Sequence, residues 1–471
     1  MFLPLFVLWA NLAPVLSSIS PISIHGRYFI DSVSQEPFFI KGVDYQPGGS
    51  SATDQHSDPL SNPDICARDI ALFQQLGINT IRVYSVYPDL DHDVCMTLLA
   101  QAGMYLVLDV NSPQQFRHLN RYEPWSTYNT EYLENVFKVV EQFGGYNNTL
   151  GFFAGNEIVN DRVSARNSPR YVKAVVRDIK QYIDANLDRK IPVGYSAADD
   201  LDYRISMSSY LECVDESPFD SADFYGVNSY QWCGEQTFYS SRYDKLVEDY
   251  AEYTRPVFLS EYGCNDITPR KFSEVQAIYS NDMVGVFSGG LVYEFTQEPN
   301  NYGLVEVLPN GDVQLLDDFI ALKYQFEHLP EPTYGVMTRY LLANEMQLRN
   351  SKKQQQQSAQ PLCKGEFTNL AIEEGMPSNP AVELLGGIAA QRGKYVKLDE
   401  SQLRSSKKVY GPSGKMYLAA PTVQIVEDTT SAPDSGRRRI PSTPNHGMLH
   451  LGSIRQRIAL LLRKGFHRVH Y

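Results

Sequence analysis

The chain has 471 residues, 43% of them hydrophobic and 12% aromatic, and 55 Asp and Glu against 42 Lys and Arg give it a formal net charge of −13. That length holds one large domain with an appendage, or two to three ordinary domains, and the hydrophobic share is enough for a packed core. The acidic balance excludes a general nucleic-acid binder, which needs a basic face to meet phosphates.

The chain opens on an apolar run from Phe2 to Leu16 that ends at Ser17 and Ser18. This has the length and the small-residue end of a secretory signal over residues 1–18. Asn11 and Pro14 break it, and it is too short to span a bilayer. The six cysteines (Cys66, Cys95, Cys213, Cys233, Cys264 and Cys363) contain no CxxC pair. They point to an oxidising compartment rather than a zinc ribbon. Asn147-Asn148-Thr149 is a glycosylation sequon, with Asn147 as the acceptor.

Eight strand-like runs follow in order: Phe38–Tyr45, Asn79–Val86, Tyr105–Val110, Thr149–Asn156, Pro192–Ala197, Ala222–Tyr230, Pro256–Glu261 and Gly290–Gln297. Helical periodicity separates several of them. Asp64–Leu76 stops at Gly77 and Val94–Ala102 at Gly103; Asn129–Phe143 and Ser168–Asn186 are the clearest helices. Strands alternating with helices imply a parallel sheet, and eight such units imply a closed (β/α)8 TIM barrel of the α/β class. An open doubly wound sheet is disfavoured, because no GxGxxG follows an early strand. The barrel is expected over residues 19–340. From the glutamine-rich stretch at 354–357 onward, Ser, Pro, Gly and basic charge dominate, so residues 341–471 read as a linker and a largely disordered basic tail.

Two of the strands end in the same form. Gly151-Phe152-Phe153-Ala154-Gly155-Asn156-Glu157 is an apolar run closing in an amide and an acid, and Pro256-Val257-Phe258-Leu259-Ser260-Glu261 closes in an acid. Glu157 and Glu261 are about three βα units of roughly 30 residues apart, which puts them at the ends of strands 4 and 7. Two carboxyls facing across a barrel mouth can cleave a glycosidic bond, one as proton donor and one as nucleophile. A lone strand-end Glu is ordinarily a solvated or capping acid, so the pairing carries the argument. Asn156 suits a hydrogen bond to a sugar hydroxyl, against a plain turn role. Asp44, Asp109, Glu294 and Glu298 are competing acids. Tyr84, Tyr87, Tyr230, Tyr293 and Tyr302 lie at or beyond strand ends, where they either stack on sugar rings or pack the rim. No HExxH and no GxSxG occurs. Gly411-Pro412-Ser413-Gly414-Lys415 lacks the spacing of a phosphate loop, and His446 with His450 in a Pro/Gly-rich tail is no metal motif.

The ordered motifs resemble glycoside hydrolase family 72, the fungal cell-wall 1,3-β-glucanosyltransferases, over roughly residues 20–340. They are Phe39-Ile40-Lys41-Gly42-Val43-Asp44-Tyr45-Gln46-Pro47-Gly48-Gly49, Ile81-Arg82-Val83-Tyr84-Ser85-Val86, Gly155-Asn156-Glu157, Asn228-Ser229-Tyr230-Gln231-Trp232-Cys233-Gly234, Ser260-Glu261-Tyr262-Gly263-Cys264 and Gly290-Leu291-Val292-Tyr293-Glu294-Phe295. The resemblance implies Glu157 as acid/base and Glu261 as nucleophile. It implies that Gln46, Tyr84, Asp109, Asn156, Tyr230, Tyr293 and Tyr302 line a glucan cleft. It further implies disulfides Cys66–Cys95 and Cys233–Cys264, which leave Cys213 with Cys363. Many relatives carry a cysteine-rich module after the barrel and a glycolipid-anchor signal. Here Cys363 is the tail's one cysteine, and Ile458–Leu462 is too short and too basic at its flanks for such a signal.

The resulting expectation is a secreted monomeric enzyme at the cell wall or the outer face of the plasma membrane. It acts on β-1,3-glucan donor and acceptor chains, without metal or cofactor, and touches membrane at most through its tail or a lipid anchor. It cuts the donor internally and joins the new reducing end to another chain, in vegetative or spore wall. The competing readings are an endo-β-1,3-glucanase with water as acceptor, and a glucan-binding wall protein with no turnover.

Overall fold

A computed structural model describes residues 19–330, 363, 367 and 369–426. The expected signal at 1–18, the glutamine-rich linker, and the tail beyond 426 with His446, His450 and Ile458–Leu462 lie outside the described residues.

The eight expected runs form eight parallel strands that close into a barrel. The strands are β3 (Ile40–Asp44), β4 (Thr80–Val83), β5 (Tyr105–Asp109), β6 (Thr149–Asn156), β7 (Val193–Ala197), β8 (Phe224–Asn228), β9 (Val257–Tyr262) and β10 (Phe287–Val292). They follow one another in sequence order around the wall, and β10 pairs with β3 from Gly289↔Ile40 to Val292↔Val43. Six of the barrel strands are buried along their whole length, and β3 and β6 at all but one residue, Lys41 and Asn156, which is why each reads as a continuous apolar run rather than an alternating one. Closure brings backbones close: a Cβ on Gly42 would lie 2.0 Å from the Thr80 carbonyl oxygen, so glycine is required there. The last strand departs from expectation. It runs three residues earlier than Gly290 and stops before Tyr293, where the chain leaves the wall.

The four expected helices appear as Pro63–Leu76, Asp93–Gln101, Thr130–Gly144 and Pro169–Asn186. Local chemistry sets their ends. Asn62 caps the first by accepting from the Asp64 and Ile65 amides, Pro63 occupies the first turn, and Gly77 at φ 68° ends it in the left-handed region. Asn129 caps the third by accepting from the Tyr132 amide.

A two-stranded hairpin, β1 (Ile22–His25) with β2 (Tyr28–Asp31), precedes the barrel. Ile22 and Phe29 join Tyr105, Val107, Leu150, Phe153, Phe224, Phe258 and Leu291 in a separate apolar cluster. Phe29 meets Phe224 and Phe258 at ring distances of 5.8 and 6.0 Å. Because these residues come from the barrel strands and from the hairpin together, the hairpin plugs one end of the barrel. The ionisable groups described below occupy the other end.

The tail expectation is corrected over part of its length. Residues 369–426 have a defined path along the outside of the barrel, and they retrace the helices in reverse order. Cys363 is bonded to Cys213. Arg177 then donates to the Pro377 carbonyl, Arg392 to Glu141, the Lys394 amide to Asp93, and the Ser406 amide to Asp64. Strands β13 (Val409–Tyr410) and β14 (Met416–Leu418) extend a sheet begun by β11 (Val305–Val307) and β12 (Val313–Leu315). Gly411–Lys415, which resembles a broken phosphate loop, is the turn between β13 and β14, closed by the Gly411 amide on the Lys415 carbonyl. This segment has no period of its own. Its order comes from a disulfide, from polar groups already displayed on the helices, and from scattered apolar side chains such as Leu370, Ala381, Val409 and Val423 that enter the core without a regular spacing, which a search for hydrophobic periodicity cannot see.

The structure also pairs Cys66 with Cys95 and Cys233 with Cys264. No helix among the described residues is long and apolar enough to cross a membrane.

Candidate active site

Glu261 lies near the end of β9 and is 7% exposed. Both of its oxygens are held. The Tyr84 hydroxyl donates to Oε1 at 2.8 Å and the Tyr230 hydroxyl to Oε2 at 2.7 Å. Arg82 Nη1 stands 3.3 Å from Oε1. Burial pushes this carboxyl up to about 7, and the charge of Glu157 adds to the rise; Arg82 and the Tyr230 and Tyr84 hydroxyls pull it down.

Arg82 brings a cation to the centre of the site. It is fully buried on β4, Nε and Nη2 make a bidentate pair with Asp109 at 3.0 and 2.9 Å, and its guanidinium lies 4.2 Å from the Tyr84 ring centre. Asp109, at the end of β5, therefore orients Arg82 as well as bordering the cleft. A charged residue in the middle of the apolar run Ile81-Arg82-Val83 is the sequence signal that could have marked such a role.

Glu157 follows β6 directly. Its φ is 48°, a left-handed conformation that costs a non-glycine residue about 1–2 kcal/mol, and its amide donates to the Ser196 carbonyl at 2.8 Å. Its Oε1 accepts from Asn228 Nδ2 at 2.8 Å. Asn228 is fully buried at the end of β8, its Oδ1 accepts from the hydroxyls of Ser196 and Ser260, and its Nδ2 is also 3.3 Å from Asn156 Oδ1. Asn228 was not singled out from sequence either, although it ends a strand in an amide exactly as Asn156 does.

Gln46 is 3% exposed and turned inward. Its Oε1 accepts from the Tyr84 and Ser85 amides, and its Nε2 donates to Thr53 Oγ1 and the Ser85 carbonyl. It thus sets the backbone that carries Tyr84. Tyr84, Tyr230, Tyr293 and Tyr302 form one edge-to-face group, with ring distances of 5.2 Å for Tyr293–Tyr302, 5.7 Å for Tyr230–Tyr302 and 6.4 Å from Tyr293 to each of Tyr84 and Tyr230. Tyr87 stands apart from this group, beneath the Arg117 guanidinium at 4.3 Å. A groove of about 570 Å³ runs beside Tyr84, Asp109 and Asn156, walled by Ser112, His118, Arg121 and Tyr122 among others.

The competing acids separate by their partners. Glu298 accepts from the Gly48 amide and the Thr296 hydroxyl and ties two loops. Glu294 accepts from Asn300, and burial raises it to about 6. Asp44 is fully buried, neither of its oxygens has a hydrogen-bond partner among the described residues, and burial pushes its carboxyl well above the usual range. Burial thus favours the protonated form of Asp44, at the end of β3. Among the described residues Cys233, Cys264 and Asp266 have metal-ligand spacing, but the two sulfurs are joined to each other and offer no thiolate. Asn147 is partly exposed at the start of β6, whereas Asn148 and Thr149 are buried and Tyr395 donates its hydroxyl to Asn148 Oδ1.

A family model described as Glucanosyltransferase, glycoside hydrolase family 72, matches residues 12–330. The 1,3-beta-glucanosyltransferase GAS4 of Saccharomyces cerevisiae is 52% identical over 425 residues, covering 90% of this chain and 87% of that protein. The 1,3-beta-glucanosyltransferase gel2 of Aspergillus fumigatus is 44% identical over 415 residues, covering 88% and 85%. Among solved structures, Saccharomyces cerevisiae Gas2p in complex with laminaripentaose superposes with a TM-score of 0.68 at 38% identity, covering 78% of this chain and 79% of that one.

Proposed function

Because the chain belongs to the glucanosyltransferases of glycoside hydrolase family 72, it is a 1,3-beta-glucanosyltransferase, and we propose that it works by a retaining double displacement between Glu261 and Glu157. The carboxylate of Glu261 attacks the anomeric carbon of an internal glucose, while Glu157 gives its proton to the departing glycosidic oxygen. The bond to the leaving chain breaks and a glucosyl ester forms on Glu261. The non-reducing end of a second chain then enters, Glu157 takes the proton from its attacking hydroxyl, and the new glycosidic bond releases Glu261.

The observation that carries this reading is a pair of carboxyl groups at the ends of β6 and β9, three strands apart around the same mouth of the barrel, each oriented by buried donors of its own. Tyr84, Tyr230 and Arg82 hold Glu261, and Asn228 holds Glu157. Such preorganisation favours the charge that develops in the reaction over bulk water's slower response. The tyrosine group and the groove beside Asn156 supply flat apolar faces and polar edges, which suit β-1,3-glucan donor and acceptor chains. Gas2p, the solved relative, holds laminari-oligosaccharides.

The location of the family is extracellular, at the fungal cell wall. Within that location, residues 1–18 act as a removed secretory signal, residues 19–340 form the catalytic unit of a monomer, Asn147 carries a glycan, and the basic tail retains the enzyme at the wall or the outer membrane face. Product analysis on one defined laminari-oligosaccharide tests the reaction. Products longer than the donor are expected from the native enzyme, and none from Glu157→Gln or Glu261→Gln. Shorter products alone would make it a hydrolase, and turnover by either variant would overturn the roles.

A further inference from the structure

The loop after β9 carries a buried cation to which the reaction assigns no task. Arg270 is 3% exposed. Its Nη1 donates to the carbonyls of Gly263 and Tyr293 at 3.1 and 2.8 Å, its Nη2 to those of Tyr302 and Gly303 at 2.5 and 3.3 Å, and its Nε to Asp318 Oδ2 at 2.6 Å. Every N–H of the guanidinium therefore has an acceptor. The plane also lies 4.7 Å from the Phe272 ring centre and 5.7 Å from that of Tyr302.

The four carbonyls come from three places that this one side chain brings together. Gly263 is two residues past Glu261. Tyr293 is the first residue after β10. Tyr302 and Gly303 are on the return of the same loop. The rings of Tyr293 and Tyr302 are half of the edge-to-face group, and they rest on Tyr84 and Tyr230, whose hydroxyls hold the two oxygens of Glu261. Backbone bonds join parts of these loops, from the Tyr293 amide to the Tyr262 carbonyl and from the Glu294 amide to the Tyr302 carbonyl, and Arg270 adds a single side chain that holds the tyrosine wall and the nucleophile strand together at once.

We propose that Arg270 is a positioning residue for this wall, and that through it Arg270 sets how much of the glucosyl ester passes to a sugar rather than to water. The inference rests on the double-displacement reading above. A sugar acceptor reacts only when its hydroxyl is held within about 3–3.5 Å of the anomeric carbon in the right orientation, and a misplacement of ~1 Å costs about 100-fold. Water needs no aromatic surface to reach the ester. Loosening the wall therefore slows transfer more than hydrolysis. Lysine cannot stand in, because a compact ammonium has too few donors and no plane to reach acceptors on three segments.

The test is the ratio of transfer to hydrolysis products from a reduced laminari-oligosaccharide, measured for Arg270→Lys and for the milder Asp318→Asn, which leaves the four carbonyl bonds in place. The ratio does not depend on how much enzyme is folded. It should fall about tenfold or more in Arg270→Lys, and in the same direction by less in Asp318→Asn. In a Tyr302→Ala background, Arg270→Lys should lower the ratio little further, since both act on one wall. An unchanged ratio with only a lower melting temperature or total rate would reduce Arg270 to holding the fold, and independent multiplication of the two effects would also overturn the proposal. Glu157→Gln and Glu261→Gln are assayed alongside. Turnover by either would sink the catalytic reading itself, whereas their inactivity with a native ratio in Arg270→Lys would sink the Arg270 inference alone.

Discussion

Replacing Glu261 by Gln should abolish turnover and also stabilise the protein, and the size of the gain follows from the site. The ordinary value of this carboxyl is 4.5, and burial carries it to about 7 in the folded chain. Between those limits the folded state binds the proton more tightly than the unfolded one. The stability this contributes is fully present below 4.5 and is lost as pH rises through about 7. At roughly 1.36 kcal/mol per pH unit, the charged form costs the folded enzyme about 3 kcal/mol above pH 7 as an upper bound. Gln has nearly the same shape and no charge to bury, so it escapes that cost. At about 2 cal/mol/K of unfolding entropy per residue, 3 kcal/mol on a domain of this size is a rise of about 3–4 °C in melting temperature. The assay is thermal unfolding of native and Glu261→Gln protein from pH 4 to pH 8. The two curves should converge near pH 4 and separate towards pH 8, with the variant higher. A variant that melts lower throughout, or by a constant offset at every pH, would show that Glu261 is not held at the expense of stability.

Arg82→Met should move the acid limb of kcat/KM towards higher pH by about 1–3 units, because an Arg beside a carboxylate lowers it by that much, and a pH–rate profile checks this. The same variant leaves Asp109 buried without its partner, so denaturant unfolding should show a loss of about 3–5 kcal/mol. Asn228→Ala removes the donor to Glu157 and should lower kcat by at least about tenfold with little change in KM, measured as initial rates on a soluble donor. Truncation after Pro380 removes the β13–β14 extension and the contacts to Glu141, Asp93 and Asp64. It should lower the melting temperature by several degrees, and an unchanged melting curve would make the strap dispensable.

The barrel was legible because burial on both faces makes a parallel strand a continuous apolar run, and eight such runs stand in the chain. Glu157 and Glu261 were legible because a carboxyl closing an apolar run has no packing reason to be there. The same logic applies to Arg82 and Asn228. The signal is weaker there, because Arg82 sits inside its run rather than at its end, and Asn228 lies two residues before Tyr230 in one motif. Gln46 was expected to line the cleft, and its amide is instead occupied by the backbone that carries Tyr84. Contacts between side chain and distant backbone leave no spacing in the sequence, and Arg270 is hidden for the same reason: its acceptors at Gly263, Tyr293 and Tyr302 meet only in three dimensions. The hairpin that plugs the barrel is short, with Ile22 and Phe29 as its two residues in the apolar cluster and Ile24 packed against it. The strap at 369–426 borrows its order from the helices beneath it.

The most direct test of the central claim is to trap the glucosyl ester. A laminari-oligosaccharide donor fluorinated at C2 of the reacting glucose, with a good leaving group, should form the ester quickly and release it slowly. Peptide mass spectrometry of the labelled enzyme should place the sugar on Glu261, and added laminari-oligosaccharide should discharge it into a longer product faster than water does. A label on Asp44, Glu294 or Glu157, or a native enzyme that transfers glucan while no carboxyl becomes labelled, would contradict the account.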